Sequence, residues 1–310
     1  MTASINTSRE DGVKQGSTSL APLVRRRSRP GPSFGVAPQA LVILASAYFV
    51  LPVIWLLIAS TKSVGSLFST AAFALPERIE FWSNVRSTFT QDGGIFLRWL
   101  GNTLAYAGGG ALIATALSAM AGYAIAKYDF PGRKLLFALA VGSIMIPVTA
   151  LAIPTYLLVS PAGLTDTMWA VLLPSCVSPL GLYISRLAAT HAVPDEVLQA
   201  ARVDGAGELR IFFTIATRMM GPALVTVFLF QFVSIWNNYL LPLVMLSSNH
   251  LFPLSLGLTS WNETLVTTGT PPLTSVVITG SLLSVVPLVV AFLVLQRYWR
   301  SGLAAGAVVG

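Results

Sequence analysis

Apolar positions in this chain come in long unbroken runs, with the polar residues gathered between them. A membrane-crossing helix needs about 20 mostly apolar residues. Six runs meet or approach that length: Pro38 to Thr61, Leu100 to Ala126, Leu135 to Val159, Thr167 to Tyr183, Pro222 to Leu246 and Leu273 to Leu295. None alternates with the period of two that marks a half-buried strand. The pattern predicts an all-α integral membrane protein with six transmembrane helices, occupying residues 37–310. Residues 1–36 are rich in Ser, Thr, Gly and Arg and read as a disordered basic tail. Ala45-Ser46-Ala47 imitates a signal-peptide cleavage site, but the apolar run continues well past it and favours a retained span.

The polar stretch between the fourth and fifth runs, about 186–221, carries helix signals of its own. Pro194 suits a first helical turn, and the carboxylates Asp195 and Glu196 suit the positive end of a helix dipole. Gly205 can take the left-handed conformation that ends a helix. A second helix is expected from about Gly207 to Gly221. There Leu209, Phe212, Phe213, Ala216 and Met220 form an amphipathic stripe, with Arg210 and Arg218 off it. The small Ala200 and Ala201 would let another protein's backbone approach closely. Two readings fit this helix–turn–helix: a hairpin lying on the membrane surface, or a rigid knob for a partner's groove.

Composition supports the membrane reading. Hydrophobic residues make up 54% of the chain and charged residues 10%, with a mean hydropathy of +0.73. A soluble domain is about a quarter charged. The net charge of +7 could suggest nucleic acid, but the basic residues cluster at the ends of the apolar runs. With the N-terminus inside, the tail holds Arg9, Lys14, Arg25, Arg26, Arg27 and Arg29. The next inner loop holds Lys127, Arg133 and Lys134; the 186–221 loop holds Arg186, Arg202, Arg210 and Arg218; the C-terminus holds Arg297 and Arg300. Only Lys62, Arg78, Arg86 and Arg98 fall outside. This bias predicts a multi-pass protein of the cytoplasmic membrane, with both termini and the 186–221 loop in the cytoplasm.

No run carries an Asp, Glu, Lys, Arg or His at its centre, so the relay groups of proton pumps and many ion-coupled carriers are missing. His191 and His250 are the only histidines, Cys176 is a lone cysteine, and no His-Glu-x-x-His is present. No catalytic or metal site is expected. The chain has no Gly-Lys dipeptide and hence no Walker A loop. Energy for any transport would have to come from elsewhere. Pro52, Pro147, Pro154, Pro174, Pro179 and Pro242 imply kinks in the spans, and Gly108-Gly109-Gly110 implies close helix contact.

The run Gln199-Ala200-Ala201-Arg202-Val203-Asp204-Gly205 resembles the EAA loop of ABC-importer permeases, whose pattern is Glu-Ala-Ala with a Gly four residues after the second Ala. Further segments match in order and spacing. They are Asp129-Phe130-Pro131-Gly132-Arg133-Lys134, Pro194-Asp195-Glu196, Trp236-Asn237-Asn238-Tyr239-Leu240-Leu241-Pro242-Leu243, Gln296-Arg297-Tyr298, Gly302-Leu303 and Gly306-Ala307-Val308. Over about residues 38–310 the chain resembles the carbohydrate-uptake branch, and within it the six-span maltose-type inner-membrane permease. Three departures from the pattern stand out. Gln199 stands where the family has Glu, Thr217-Arg218 where it has Leu-Pro, and Val309 where it has Lys.

The resemblance implies a type I ABC importer permease with cytoplasmic coupling helices. Its partners would be a second permease subunit, two ATPase subunits that hold ATP and Mg, and an extracytoplasmic solute-binding protein delivering a sugar. This chain would hold no cofactor itself. Carried over, the contact to the ATPase comprises Gln199, Ala200, Ala201, Arg202, Asp204, Gly205 and Ala206. The segment Gly302 to Gly310 is a second candidate contact or a free end. Gln231, Trp236, Asn237 and Asn238 are candidates for the solute pathway or for helix–helix packing. Phe81, Trp82, Phe96 and Trp99, within residues 62–99, are candidates for binding-protein docking or for an interfacial aromatic belt. The competing classes are a permease for amino acids, polyamines or phosphonates and, more remotely, a secondary carrier, which would need internal repeats or buried ion ligands.

Overall fold

The computed structural model describes residues 36–306. The basic tail and the last four residues of the Gly302 to Gly310 segment therefore lie outside the described residues. The chain divides into two compact units, residues up to Tyr48 and residues from Phe49 onward. The first helix, α1 (Val36–Ser60), contains Pro52 and supplies all the described structure of the first unit. Helices α2 (Phe81–Thr90), α3 (Ile95–Lys127), α4 (Arg133–Ile144), α5 (Ala152–Val159), α6 (Met168–Ser175) and α7 (Pro179–Ala192) follow. Then come α8 (Asp195–Val203), α9 (Glu208–Met219), α10 (Gly221–Trp236), α11 (Leu240–Met245), α12 (Leu254–Thr268) and α13 (Pro272–Gly306). No strand occurs among the described residues.

Four segments are long and apolar enough to cross a membrane: Pro38–Ser60, α3, Met168–Ala192 and Pro272–Gln296. Counting each of two bent pairs as one span brings the number to six. One bent pair corrects the expectation of a single run from Leu135 to Val159. That stretch is α4 and a following helical segment, Val148–Ala162, turned 104° apart. Pro147 sits at the break; it offers no N–H and drives Ile146 out of the helical region. The other pair is α9 and α10, bent 81°, with Pro222 in the first turn of α10. The run Pro222 to Leu246 is likewise divided, into α10 and α11.

Helix α3 is the spine of the second unit. Its small residues Ala111, Ala114, Ser118 and Gly122 recur at helical spacing and are all buried. Gly181, Ser185 and Ala189 do the same on α7. The two stripes meet so closely that a Cβ on Gly122 would stand 2.6 Å from the Arg186 backbone nitrogen, and one on Gly181 2.7 Å from Ser118 Oγ. Close backbone approach of small residues is how helices associate in lipid, where burial offers no hydrophobic gain. Gly110 serves similarly, since a Cβ there would lie 2.8 Å from Ile235 Cδ1 of α10, whereas Gly108 faces open space.

Each end of α3 carries its own apolar cluster. Near its start, Phe96 and Trp99 are buried with Trp261 of α12; the Trp99 and Trp261 rings lie 4.6 Å apart. Gly257 is needed there because a Cβ would meet the Trp99 ring at 2.2 Å. Trp99 Nε1 donates to Asn249 O at 2.9 Å, Tyr106 Oη to Leu251 O at 2.9 Å, and Asn102 Nδ2 to His250 O at 2.9 Å. Side chains on one face of α3 thus hold the 249–252 strap. Lys62, only 1% exposed, donates from Nζ to Thr70 Oγ1 at 2.9 Å and Ala71 O at 2.8 Å. At the other end of α3, Ala119 and Tyr123 pack with Leu198, Ala201, Ile211, Phe212 and Ala216 of the α8–α9 hairpin and with Met220 just after it.

Replacing Gly122 by Ala forces a methyl into backbone that cannot swing away. The expected loss is about 1–3 kcal/mol, the usual cost of overpacking. Gly108→Ala should be neutral or slightly stabilising, since alanine is the better helix former. Thermal unfolding of the two purified variants in one detergent checks this; equal midpoints would contradict it.

Candidate functional site

The α8–α9 hairpin is closed by chemistry that the chain supplies locally. Gly205 takes φ +80°, Ala206 N donates to Ala201 O at 2.9 Å, and Gly205 N donates to Arg202 O at 3.0 Å. These are the paired bonds of a Schellman ending, which satisfy carbonyls left open at a helix C-terminus. Across the turn, Arg202 Nε donates to Glu208 Oε1 at 2.6 Å and Nη2 to Glu208 Oε2 at 3.2 Å. Asp195 and Glu196 lie in the first turn of α8, where the dipole favours them.

The end of α3 grips both helices of the hairpin. Lys127, its side chain 7% exposed, donates from Nζ to Val193 O at 2.6 Å and to Asp195 Oδ1 at 2.7 Å, at the start of α8. Tyr128 Oη donates to Glu208 Oε2 at 2.5 Å, at the start of α9. Glu208 therefore accepts from both Arg202 and Tyr128. The Arg202 hydrogen bond, followed by that from Tyr128, holds its carboxyl below the usual carboxylate value. Burial, and then the bond to Glu208, push the Tyr128 phenol upward.

Of the expected contact residues, Gln199, Ala200, Arg202, Asp204 and Gly205 are exposed on this hairpin, and Ala206 is half-buried. Ala201 faces inward, 9% exposed, so its small size serves the packing of α8 within the chain. The expected apolar stripe on α9 is only partly buried. Phe212, Ala216 and Met220 are inside, joined by Ile211, but Leu209 is 71% and Phe213 59% exposed. Leu209 precedes a π-helical stretch at Phe212–Ala216, and Phe213 lies within it. With Val203, 87% exposed, these side chains leave apolar surface on the hairpin that sequence periodicity did not reveal.

A second feature lies among α4–α7, α10 and α11. A cavity of about 450 Å³ is lined by residues from three helix breaks, those between α4 and α5, α6 and α7, and α10 and α11. Gln231 and Asn238 line it, together with Ser234, one helical face of α10 and its end. Gln231 Nε2 donates to Ser175 O at 3.0 Å, and Asn238 Oδ1 accepts from Leu241 N at 3.3 Å. Trp236 and Asn237 are not brought there. Trp236 is buried against Phe232, ring centres 5.5 Å apart, and Asn237 Nδ2 closes the end of α10 on Val233 O at 2.9 Å. Thr149, Ser178 and Ser234 also line the cavity, and no sequence motif marks them. Of the aromatic candidates in residues 62–99, Phe96 and Trp99 are core residues, Phe81 is half-buried, and Trp82 is 79% exposed. His191, His250 and Cys176 join no cluster able to hold a metal among the described residues.

Residues 96–301 match the family described as binding-protein-dependent transport system inner membrane component, and the chain belongs to that family. It is 37% identical over 222 residues to the arabinooligosaccharides transport system permease protein AraQ of Halalkalibacterium halodurans, covering 71% of this chain and 76% of that one. It is 32% identical over 287 residues to the protein of the same name from Bacillus subtilis, covering 91% and 99%. To the lactose transport system permease protein LacG of Rhizobium radiobacter it is 29% identical over 274 residues, covering 86% and 94%. Among solved structures, a bacterial ABC transporter involved in the import of the acidic polysaccharide alginate superposes with a TM-score of 0.74. That match has 22% identity over 86% of this chain and 96% of the other, and it shows a shared fold. The chain is thus a multi-pass membrane transport subunit.

The depressed Glu208 carboxyl has a defined sign in acid. Its contribution to the hairpin is fully present above the unfolded carboxylate value and is lost as pH falls through the lower folded one. Backbone hydrogen exchange of residues 195–219 should hold constant from neutral pH down to about pH 5, after correction for intrinsic rates, and rise below the ordinary carboxylate range near 4.3. Glu208→Gln should exchange faster at neutral pH and lose that dependence. Identical profiles for both proteins would contradict the bracing role.

Proposed function

We propose that this chain is a sugar-translocating subunit of an ATP-driven importer, and that the α8–α9 hairpin receives force from a separate ATPase. Family membership makes it a permease of a binding-protein-dependent system. The carbohydrate reading rests on relatives whose names carry arabinooligosaccharides and lactose. The observation that carries the coupling role is the hairpin itself. It is braced by Arg202–Glu208 and Tyr128–Glu208, fastened to α3 by Lys127, and exposes Val203, Leu209 and Phe213. A solvated surface loop has no need of such bracing, and uncovered apolar side chains suit a partner's groove.

In this account the hairpin and both termini face the cytoplasm, as the distribution of Lys and Arg favours. Two ATPase subunits hold ATP and Mg, one on each permease of a pair, and an extracytoplasmic binding protein delivers the solute. Gln199, Ala200, Arg202, Asp204 and Gly205 form the contact surface, with Ala206 at its edge. Ala201 supports it from behind. The neutral Gln199 makes an ordinary hydrogen bond where the family's Glu would add charge assistance. Motion of the ATPase reaches α3 through Lys127 and Tyr128, and reaches α7 through the close α3–α7 crossing. Of the two, α7 lines the cavity, through Pro179, Leu180, Gly181 and Ile184. This chain performs transport and leaves ATP hydrolysis to its partners.

Gly205 separates coupling from folding. A Cβ there meets nothing within 4 Å in the chain, although φ +80° strains other residues. Gly205→Asp should cost only about 1–2 kcal/mol within the subunit, because Asp tolerates left-handed backbone better than most. In reconstituted complex it should abolish uptake and uncouple or release the ATPase. A panel of radiolabelled neutral oligosaccharides, including lactose and arabinotriose, provides the uptake readout. Normal uptake with normal stimulated ATPase activity in the variant would refute the coupling role; wild-type uptake of an amino acid or polyamine but no sugar would refute the substrate class.

A further inference from the structure

The cavity among α4–α7, α10 and α11 has three properties that bear on what it holds. All three neighbouring spans break at it: at Met145–Pro147, Cys176–Ser178 and Asn237–Tyr239. Non-helical backbone at membrane depth persists where it is buried in protein or lines a water-filled cavity, since lipid cannot satisfy it. Discontinuous spans meeting at one place are also how transporters build solute sites. The lining contains no Asp, Glu, Lys, Arg or His among the described residues. A charged solute would have no counter-charge there, and a buried unpaired charge is costly.

The hydrogen-bonding inventory is the third property. Thr149, in the turn after Pro147, and Ser234, on α10, line the cavity and are exposed, and their side-chain hydroxyls make no hydrogen bond among the described residues. Gln231 uses its amide nitrogen on Ser175 O, and Asn238 uses its amide oxygen on Leu241 N, so each keeps the other half of its amide for a ligand. Phe230, 44% exposed, offers an apolar face on the same lining. Hydroxyls that both donate and accept, one amide acceptor, one amide donor and a ring suit a neutral molecule with many hydroxyls and an apolar face of C–H groups. The volume of about 450 Å³ lies in the ordinary range for small-molecule sites.

We infer that this cavity is a solute site in its own right, that it takes an uncharged saccharide unit during passage, and that Thr149, Ser234, Gln231 and Asn238 form its polar contacts. The inference rests on the sugar-importer reading and deepens it, because it assigns this subunit, and not its permease partner alone, a direct hold on the solute. Thr149 and Ser234 are the residues to test, because neither hydroxyl supports the fold.

The experiment uses the complete importer in proteoliposomes, with the neutral oligosaccharide that the uptake panel identifies as its substrate. Thr149→Val combined with Ser234→Ala removes two hydroxyls with little change of shape. Two lost hydrogen bonds predict about a tenfold fall in sugar carried per ATP hydrolysed, while ATPase stimulation by the loaded binding protein stays near the wild-type rate. Thr149→Ser keeps a hydroxyl and should retain most of the transport. Unchanged sugar per ATP in the double variant overturns this inference and leaves the importer reading standing. A parallel fall in transport and stimulated ATPase also overturns it, because it marks a structural role. A wild-type importer that carries no member of the panel overturns both readings.

Discussion

The structure from Phe49 onward depends on the close crossing of α3 and α7. In lipid the hydrophobic effect cannot draw two helices together, so van der Waals contact must do so. Gly122 and Gly181 let the backbones approach to distances at which any side chain would collide. Once the crossing is set, α3 has two free ends, and each organises one end of the fold. Its start holds the Trp99–Trp261 cluster and the 249–252 strap. Its final residues, Lys127 with the following Tyr128, hold the α8–α9 hairpin. The cavity lies alongside, bordered by Gly181 of α7 and by Gln231, Ser234 and Ile235 of α10.

In the coupling role proposed for the hairpin, this arrangement links force and solute without a flexible intermediate. The hairpin is locked internally by Arg202–Glu208 and the Schellman ending at Gly205, and externally by two hydrogen-bonded contacts to α3. An exposed ion pair such as Arg202–Glu208 contributes little by itself, because water screens it and two long side chains must be ordered. Rigidity therefore comes from its combination with the buried Leu198, Ala201, Ile211 and Phe212 beneath it. A push on such a body moves α3 and α7 together. The broken spans on the far side of the cavity, α4 with α5 and α10 with α11, have the irregular backbone where shape can change.

Much of this was legible in the residues. The six apolar runs all fall on helices, three of them each divided in two, and Pro194 and Gly205 mark the hairpin's start and turn as expected. What escaped has physical causes. Pro147 signals a kink, but the 104° turn also needs the neighbouring helices that define the cavity. On α9, Leu209 and Phe213 emerge where regular periodicity would bury them, and Ile211 is buried in their place. Trp99 and Trp236 are aromatics near span ends that sequence alone cannot assign to belt, site or core; packing places both inside. Ala201 reads as a partner contact from its motif and as a core residue from its burial. Thr149 and Ser234 belong to no pattern; only the convergence of three breaks brings them together.

The central claim is that hairpin and α3 move as one body while the cavity changes shape. Pulsed electron spin resonance on the assembled importer, with Cys176 replaced by Ala, measures both distances. Spin labels at Val203 and Met120 report hairpin against α3; labels at Val148 and Phe230 report across the cavity. The account predicts an unchanged first distance and a shifted second one between nucleotide-free and ATP-bound complexes. A first distance that changes with nucleotide while the second stays fixed would contradict it.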